Sequence, residues 1–392
     1  MTALAIIFAV AACAGIGYYV LCLVAARDFL RTKREPASFT PGVSILKPLR
    51  GTDPEMYEAF RSHCLQDYPN YELLFGVSDP ADPAATLVAQ LQREFPDRAL
   101  RLVVCERILG PNGKVSNLSQ MVPQARFDHL IVNDSDIKVA PDYLRRVLAP
   151  MADVKVGAVT CLYRAFGGKT LGSRLEALGI ATDFAAGVLA ARLLQGVKFG
   201  LGSTIVFRRS DLAQIGGFEA LVDYLADDYQ LGARIAALGK KVVVSEQVVD
   251  HHTPDYSFGE FLDHQTRWAR AIRDSRKLDY IGLAATFGVL WALLSVLFAR
   301  GAIWSWILLA ITVAFRFILA HAMTKRVLHE PLTLADYLLI PLRDVVALFV
   351  WISSFAGRTI HWRGLKFHLK DGKLMPVASN PPITRSSDRQ IT

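Results

Sequence analysis

The 392-residue sequence has few cysteines, few charged residues and no nucleic-acid-binding motif. Its five cysteines are scattered without a C-x-x-C pair, which is typical of buried thiols in a reducing compartment rather than of a disulfide framework. No zinc-finger, RNP or basic-zipper pattern accompanies the net charge of +8, so we predict that nucleic acid is not a partner. Because 52% of the residues are apolar and only 20% are charged, we predict that the basic surplus meets anionic lipid headgroups.

The length predicts two or three folding units, and the apolar excess is concentrated at the two ends of the chain. We therefore divide the sequence into a membrane anchor, a cytoplasmic α/β domain, a second group of transmembrane or interfacial helices, and a basic tail whose end is disordered. These segments are 1–26, 27–280, 281–357 and 358–392.

The N-terminal segment 4–26 is nearly uncharged and long enough to cross a bilayer. It exceeds the length of a signal-peptide core and ends in no clear A-x-A cleavage site, which predicts a retained anchor. Arg27, Arg31, Lys33 and Arg34 follow it directly. The positive-inside rule then places the N-terminus outside and the next domain in the cytoplasm.

Two C-terminal segments, 281–299 and 303–320, are predicted to span the membrane and are separated by a tight turn. A third, 337–355, contains Pro341, Arg343 and Asp344, which leaves open whether it spans, kinks or lies in the interface.

The apolar segment 175–199 also carries scattered charges. It has two interpretations: a core helix of the α/β domain, or an interfacial helix beside the site where a lipid enters.

Between the apolar ends, short β-type runs alternate with helical stretches, which predicts a mostly parallel sheet covered by helices. The runs are 43–47, 71–78, 100–105, 129–133 and 156–163. Ligands of such sheets bind beyond the carboxyl ends of the strands. Asp79 follows the second run, and Asp134 and Asp136 follow the fourth, so we expect these acids to face one crevice.

The tetrapeptide Asn133-Asp134-Ser135-Asp136 places two carboxylates one residue apart at a strand end. Oxygen ligands of this kind suit Mg²⁺ or Mn²⁺, which readily keep a substrate phosphate as a further ligand. The tetrapeptide therefore favours a nucleotide-diphosphate substrate, although a carboxylate in this position is often only a turn former.

Four features follow one another along the chain: Asp79, the Asp134/Asp136 pair, Asp227-Asp228, and a final set that is His264, Gln265, Thr266, Arg267 and Trp268. This order resembles the D, DxD, D, (Q/R)xxRW series of processive and lipid-directed family 2-like and family 21 glycosyltransferases with the GT-A fold. The stretches 45–51 (ILKPLRG) and 113–118 (GKVSNL), and Arg209 with 216–218 (GGF), are similar to the ceramide glucosyltransferase family, including its bacterial relatives that glycosylate hopanoids.

The resemblance implies an α/β GT-A domain with flanking transmembrane helices, held at a bacterial-type inner membrane with its catalytic domain in the cytoplasm. The implied activity is inverting transfer of a hexose, glucose or N-acetylglucosamine, from a UDP-sugar to a hydroxyl of a membrane lipid. Ceramide and a hopanoid polyol both fit as acceptors. A divalent cation held by Asp134 and Asp136 would neutralise the departing diphosphate.

The remaining roles are assigned residue by residue. Asp79 would bind the uracil or ribose, and Lys114 a phosphate or the base. The second acid of the family's acidic pair is the general base, which selects Asp228, with Asp227 as the competitor or as a helix cap.

Arg267 would bind the diphosphate through its planar fork, and Trp268 would stack on a sugar or line the acceptor entrance. His264 stands where the family has Gln or Arg, and would contact a phosphate or the acceptor. Because GT-A enzymes often add a histidine ligand to the metal, His251 and His252 are both candidates.

Two alternatives remain open. A processive polysaccharide synthase is disfavoured because three C-terminal apolar segments are few for an extrusion channel. A membrane protein that only binds nucleotide is disfavoured by the acids at several strand and loop ends together with Arg267-Trp268.

Overall fold

The protein is represented by a computed structural model that describes residues 3–32, 38–362 and 364–377. The described chain forms two compact units, each assembled from separate stretches of sequence. The helical unit contains residues 3–32, 164–195 and 255–358, and the α/β unit contains residues 38–163, 196–254 and 359–377. Lys33, Arg34 and the end of the basic tail lie outside the described residues.

The strands are β1 (Val43–Pro48), β2 (Tyr71–Val77), β3 (Leu100–Val104), β4 (His129–Val132), β5 (Ile137–Lys138), β6 (Val156–Phe166), β7 (Ile205–Arg208), β8 (Lys241–His252), β9 (Thr359–Trp362), β10 (Leu365–Lys370) and β11 (Lys373–Pro376).

The helices are α1 (Ala3–Arg31), α2 (Met56–Cys64), α3 (Pro83–Glu94), α4 (Gly113–Met121), α5 (Tyr143–Leu148), α6 (Leu171–Gly179), α7 (Ala185–Gln195), α8 (Arg209–Gln214), α9 (Asp227–Ala237), α10 (Phe258–Ser275), α11 (Lys277–Gly282), α12 (Gly288–Phe298), α13 (Ile303–Ala322) and α14 (Leu334–Ser354). Shorter 3₁₀ segments are Val122–Gln124, Ala149–Ala152, Phe218–Leu221 and Leu283–Thr286, and π-helical turns are Ile180–Phe184 and Met323–Val327.

The main sheet has the strand order β3-β2-β1-β4-β7-β6-β8-β5. Its first half is parallel: Val43 of β1 is in register with Tyr71 of β2 and with His129 of β4. The pairs β4–β7, β6–β7 and β5–β8 are antiparallel, so the sheet is mixed where the sequence predicts a mostly parallel one. All of β2 is buried, as expected for a central strand covered on both faces.

This register sets the position of the predicted acids. β2 and β4 flank β1 and run parallel to it, so their carboxyl ends emerge on the same edge of the sheet. Asp79 follows β2, and Asp134 follows β4. The edge is the ligand-binding edge of an open α/β sheet.

A second, smaller sheet closes the α/β unit in the order β11-β10-β9, with antiparallel pairing throughout. The burial of β10 alternates strictly, with Phe367 and Leu369 inside and their neighbours outside. The turn from β10 to β11 is Asp371-Gly372, and both residues have positive φ, 51° and 78°. Such a pair fits the twist of a tight hairpin. The sequence analysis assigns no strands to segment 358–392.

Within the described residues of the helical unit, four helical segments are long and apolar enough to cross a membrane. They are Ala3–Arg31, Leu171–Gln195, Ile303–Val327 and Leu334–Ser354. The predicted span 281–299 lies in a pair of helices, Lys277–Thr286 and Gly288–Phe298, that passes the same test as one broken span or a re-entrant loop and is bent by 58°. The segment 337–355 lies in a continuous helix that contains Pro341.

The segment around 175–199 packs with the helical unit rather than with the sheet, so the interpretation as a core helix of the α/β domain is wrong. It forms α6 and α7, joined by the π-helical turn Ile180–Phe184. At its far end Arg192 pairs with Asp28 of α1 at 2.7 Å.

Helix α1 is tightly packed against α12. A Cβ atom added at Gly15 would lie 2.4 Å from the Cα of Gly288, a distance that only glycine permits. The hydroxyl of Ser295 donates to the carbonyl oxygen of Ala5 at 3.3 Å, across 290 residues of sequence.

The interior of the helical unit also contains a charged cluster. Arg316 of α13 is 2% exposed and donates to Asp344 of α14 at 2.7 Å and to Asp183 of the π-helical turn at 2.8 Å. Arg343 lies 3.8 Å from Asp183 and donates to Gln265 of α10 at 3.2 Å. Each charged group in this cluster therefore faces an opposite charge inside the protein.

Candidate active site

The loop after β4 is anchored by its first residue, Asn133, which is fully buried. Its amide donates to the carbonyl oxygen of Ser203 at 2.6 Å and to the hydroxyl of Thr204 at 2.9 Å. Its side-chain oxygen bonds His63, whose other ring nitrogen lies 2.8 Å from the carbonyl oxygen of Ala59. Because burial holds the pKa of His63 well below its usual value, the ring is neutral and serves as a fixed partner.

Asp134 projects into the site beside Lys114 of α4. The Lys114 ammonium lies 2.7 Å from Asp134 Oδ1 and 3.5 Å from Asp227 Oδ2. Burial opposes the charge on Lys114, but the surrounding carboxylates raise its pKa above the ordinary value. The Asp134 side chain remains 40% exposed, so it is open to a ligand.

Asp136 is paired with a histidine on the neighbouring strand. Ile137 is in register with His251 of β8, and His251 Nδ1 lies 3.1 Å from Asp136 Oδ2. Among the described residues, Asp136 Oδ1 is buried with no hydrogen-bond partner. Burial opposes ionisation, yet His251 holds the pKa of Asp136 below its usual value, so this carboxylate carries its charge.

Gly202 allows two carboxylates to converge. A Cβ atom at this position would lie 2.9 Å from Asp134 Oδ2 and 3.3 Å from Asp228 Oδ2. Any side chain here would push against both oxygens. The absence of a side chain therefore leaves the space into which Asp134 and Asp228 both point.

The adjacent acids Asp227 and Asp228, in the first turn of α9, have different partners. Asp227 accepts from the Asn112 amide at 3.3 Å and faces Lys114, whereas Asp228 Oδ1 accepts from the backbone N–H of Tyr229 at 2.7 Å. Burial, and next the charge of Asp227, raise the pKa of Asp228 to about 6. A carboxylate with such a pKa is matched to proton transfer near neutral pH.

Asp79 lies in the same unit, in the loop after β2. Its side chain is exposed, and Oδ1 accepts from the backbone N–H of Ala81 at 2.8 Å. This bond is the turn-forming role that a carboxylate before Pro80 often has.

Lys47, in β1, is a residue whose position the sequence analysis missed. It is fully buried beneath the loop and donates to the carbonyl oxygen of Asp134 at 3.0 Å. Burial lowers its pKa to about 7. The sequence shows that Lys47 lies in a β-type run. It does not show that neighbouring strands pair with both edges of that run, and the burial of this lysine follows from that pairing.

His264, Arg267 and Trp268 lie together on α10, in the helical unit. His264 Nδ1 is 3.0 Å from the carboxylate of Glu176 on α6, and its ring centroid is 4.8 Å from that of Trp268. Burial lowers the pKa of Arg267. Sequence analysis missed Glu176, which is 1% exposed and was visible only as a charge within an apolar stretch.

The other arginines of α10 have partners in the protein. Arg273 donates to the carbonyl oxygen of Gly357 at 2.9 Å and to that of Ser354, at the end of α14. Arg276 pairs with Asp279 at 2.6 Å. The contacts of Arg273 tie α10 to the end of α14.

The structure is similar to that of the mannosyltransferase PcManGT from Pyrobaculum calidifontis, solved in complex with GDP-Man and Mn²⁺. The TM-score is 0.54 at 20% identity, covering 89% of this chain and 97% of that one. This likeness shows the fold, and the mixed α/β sheet of the protein is that of a GT-A glycosyltransferase.

Two curated relatives come from Caenorhabditis elegans. Ceramide glucosyltransferase 3 is 26% identical over 374 residues, covering 91% of this chain and 79% of the relative. Ceramide glucosyltransferase 1 is 27% identical over 242 residues, covering 62% of this chain and about half, 52%, of the relative. The profile described as Glycosyl transferase family 21 matches residues 7–375. The chain therefore belongs to glycosyltransferase family 21.

Proposed function

We propose that this family 21 glycosyltransferase moves a hexose from a UDP-sugar to a hydroxyl of a membrane lipid, with inversion at the anomeric carbon. The observation that carries the proposal is the convergence of Asp134 and Asp228 on the space at Gly202. One carboxylate follows a strand at the ligand edge, and the other has a pKa of about 6. Asp134 would therefore bind the donor, and Asp228, which points into the same space, would remove the proton.

Asp134 and Asp136 would hold Mg²⁺ or Mn²⁺. The buried Asp136 Oδ1 without a partner and the exposed face of Asp134 fit an oxygen-liganded ion. Across the described residues, no group of three or more His, Cys, Asp or Glu side chains has the spacing of a metal cage. Magnesium is commonly held by one or two carboxylates together with substrate phosphates. When bound, such an ion neutralises the diphosphate.

His251 is the better histidine candidate for this site. His251 Nδ1 lies 3.1 Å from Asp136 Oδ2. The carboxylates that act on His252 are Glu55 and Asp250 instead, and burial lowers the pKa of His252. A neutral His251 would orient Asp136 or join it as a ligand.

Asp228 is assigned as the general base. In the displacement, the acceptor oxygen bonds to the anomeric carbon, the bond from that carbon to the diphosphate breaks, and the hydroxyl proton passes to Asp228. Asp227 is engaged by Asn112 and Lys114, which supports Asp228 for this role. Lys114 would contact a phosphate as a point charge, and Asp79 the uracil or ribose.

The residues of α10 would act on the diphosphate and the acceptor. Arg267 offers a bidentate fork for phosphate oxygens, and Trp268 offers a face for a sugar or for the acceptor entrance. His264 is oriented by Glu176 and would contact either group. The same unit contains the helices of membrane-spanning length.

The lipid acceptor is supported by the two ceramide glucosyltransferases and by these helices. Ceramide with glucose and a hopanoid polyol with N-acetylglucosamine remain the two candidate substrate pairs. We place the protein in a bacterial-type inner membrane, with segment 1–26 as the anchor, 27–280 as the cytoplasmic catalytic domain and 281–357 as transmembrane or interfacial helices that precede the basic tail 358–392.

The test is an in vitro transfer assay. Purified protein in detergent is incubated with UDP-glucose or UDP-N-acetylglucosamine, Mn²⁺, and ceramide or a hopanoid polyol, and lipid products are identified by mass spectrometry. We expect one β-glycosylated lipid, and none with Asp228→Asn. Binding of UDP and Mn²⁺ without product on any lipid would instead favour a non-catalytic nucleotide-binding protein.

A further inference from the structure

The edge of the small C-terminal sheet is joined to the chain segment that precedes Asp227. Leu374 N donates to the carbonyl oxygen of Asp223 at 2.7 Å, and Leu225 N donates to that of Gly372 at 3.1 Å. Between these bonds, Tyr224 and Lys373 form an antiparallel bridge. Residues 223–225 therefore extend the β11 edge as a short additional strand.

Side chains reinforce this edge. The buried cluster of the small sheet includes Phe367 and Leu374, and Leu225 packs against it. Two cations contact the Tyr224 ring, with Lys373 Nζ 5.4 Å and Arg234 Cζ 5.3 Å from its centroid. Apolar burial and cation–π contacts both oppose movement of the segment.

The same segment is also held by Asn112, at the start of α4. Asn112 N donates to the carbonyl oxygen of Val222 at 3.0 Å, and its side-chain amide donates to that of Tyr224 at 2.8 Å. Helix α9 starts directly afterwards. Its N-cap is Ala226, whose methyl group offers no capping oxygen, so the direction of the first turn is set by the residues before it.

We propose that the C-terminal hairpin, β10 and β11, is a positioning element of the active site: it fixes residues 223–226 and thereby the direction of the Asp228 carboxylate. The inference rests on the proposed role of Asp228. It predicts that loosening the hairpin impairs proton removal while leaving donor binding, which depends on Asp134 and Asp136, intact.

The test compares Leu374→Ala with Met375→Ala, its neighbour on the opposite, 48% exposed face. Leu374→Ala is expected to lower kcat by about 10- to 100-fold, the cost of a misplaced reactive group, with KM for the UDP-sugar unchanged. Because Asp228 becomes more solvated, the acid limb of the kcat profile should move to lower pH. Met375→Ala and the conservative Leu374→Met should match the wild type.

Hydrogen–deuterium exchange of the full-length protein supplies a readout that does not depend on activity. Amides of residues 223–229 should exchange faster in Leu374→Ala. If that variant does not fold, Gly372→Ala serves instead, because its φ of 78° strains the same turn.

Each outcome has one meaning. Unchanged exchange, an unchanged kcat despite faster exchange, or equal effects on kcat and donor KM would overturn the positioning role. Absence of transfer by the wild type would refute the proposed function, and the exchange data would still decide whether the hairpin holds the segment.

Discussion

The two units bury charge in opposite ways. In the helical unit, Arg316 bonds Asp344 and Asp183 within the protein, and Arg343 adds a second guanidinium beside Asp183. Two cations thus face two carboxylates.

In the α/β unit, Lys114 is shared between Asp134 and Asp227, while an oxygen of Asp136 is left without a partner within the described chain. Asp228 lies beside them with a raised pKa. Negative charge is in excess here. The comparison teaches that paired buried charges stabilise the packing of helices. Carboxylates in excess of the nearby cations are instead available to bind a cation and to accept a proton.

The most damaging change on the unbalanced side should be Asp228→Asn. Removing a general base costs about 10²- to 10⁴-fold in kcat, and UDP binding should persist because the amide keeps the shape of the carboxylate. Rates and UDP affinity are measured side by side. A larger loss in Asp227→Asn, or loss of UDP binding in Asp228→Asn, would move the base assignment.

Asp136→Ala reduces the negative excess by removing a proposed cation ligand. We expect loss of Mn²⁺-dependent donor binding and at least about a hundredfold lower activity, since ions of this kind supply several kilocalories per mole. Calorimetry with UDP and Mn²⁺ measures it. Asp128→Ala, at an 88% exposed side chain, is the control, and full activity in chelator would refute the cation.

On the balanced side, Arg316→Met leaves Asp344 buried without its counterion. We expect the protein in detergent to lose about 3–5 kcal/mol of stability, and the double variant Arg316→Met/Asp344→Leu to recover much of it. Thermal unfolding is the measurement, with exposed Arg326→Met as control. Equal losses in single and double variants would show that the pair is not what stabilises the helices.

Gly202→Ala tests whether steric crowding of the two carboxylates lowers activity when their charges are unchanged. The added methyl group would press on Asp134 Oδ2 and Asp228 Oδ2 without altering any charge, so we expect about 10- to 100-fold lower activity. Gly17→Ala, where the added methyl group meets no atom within 4 Å, should be neutral. Wild-type kinetics in Gly202→Ala would mean that the two oxygens do not share a ligand.

The smallest effect is the pH dependence of the wild type. Asp228 accepts a proton only when ionised, and its pKa is raised to about 6, so activity should fall as the pH drops through about 6. An ordinary aspartate would place this limb about two units lower. A pH profile of kcat/KM with saturating Mn²⁺ measures it, and a limb near pH 4 would contradict the assignment.

Local patterns predicted the parallel half of the sheet because each strand there is a short apolar run followed by turn residues. The DxD loop was visible for the same reason. In the antiparallel half only β6 was predicted, from the run 156–163, and the antiparallel pairings of β7 and β8 were not. The network from Asn133 to His63 spans 70 residues, and no local periodicity reports such a contact.

The C-terminal hairpin is different, because a local pattern was present. The residues of β10 alternate apolar and polar side chains and lead into Asp371-Gly372, a turn pair that favours hairpins. Because the segment is rich in basic residues, the sequence analysis assigned it only as a basic tail. Its pairing with residues 223–225 is long-range and needed the structure.

The close approach of Gly15 to Gly288 has a consequence for how the protein is made. Helix α1 leaves the ribosome well before its partner α12, because Ser295 and Ala5 are 290 residues apart. At about 5–20 residues per second, α1 waits roughly 15–60 s for that partner. During this interval the glycine-bearing face of α1 lies against lipid or an insertion factor, so the α1–α12 contact forms only after most of the chain has been made.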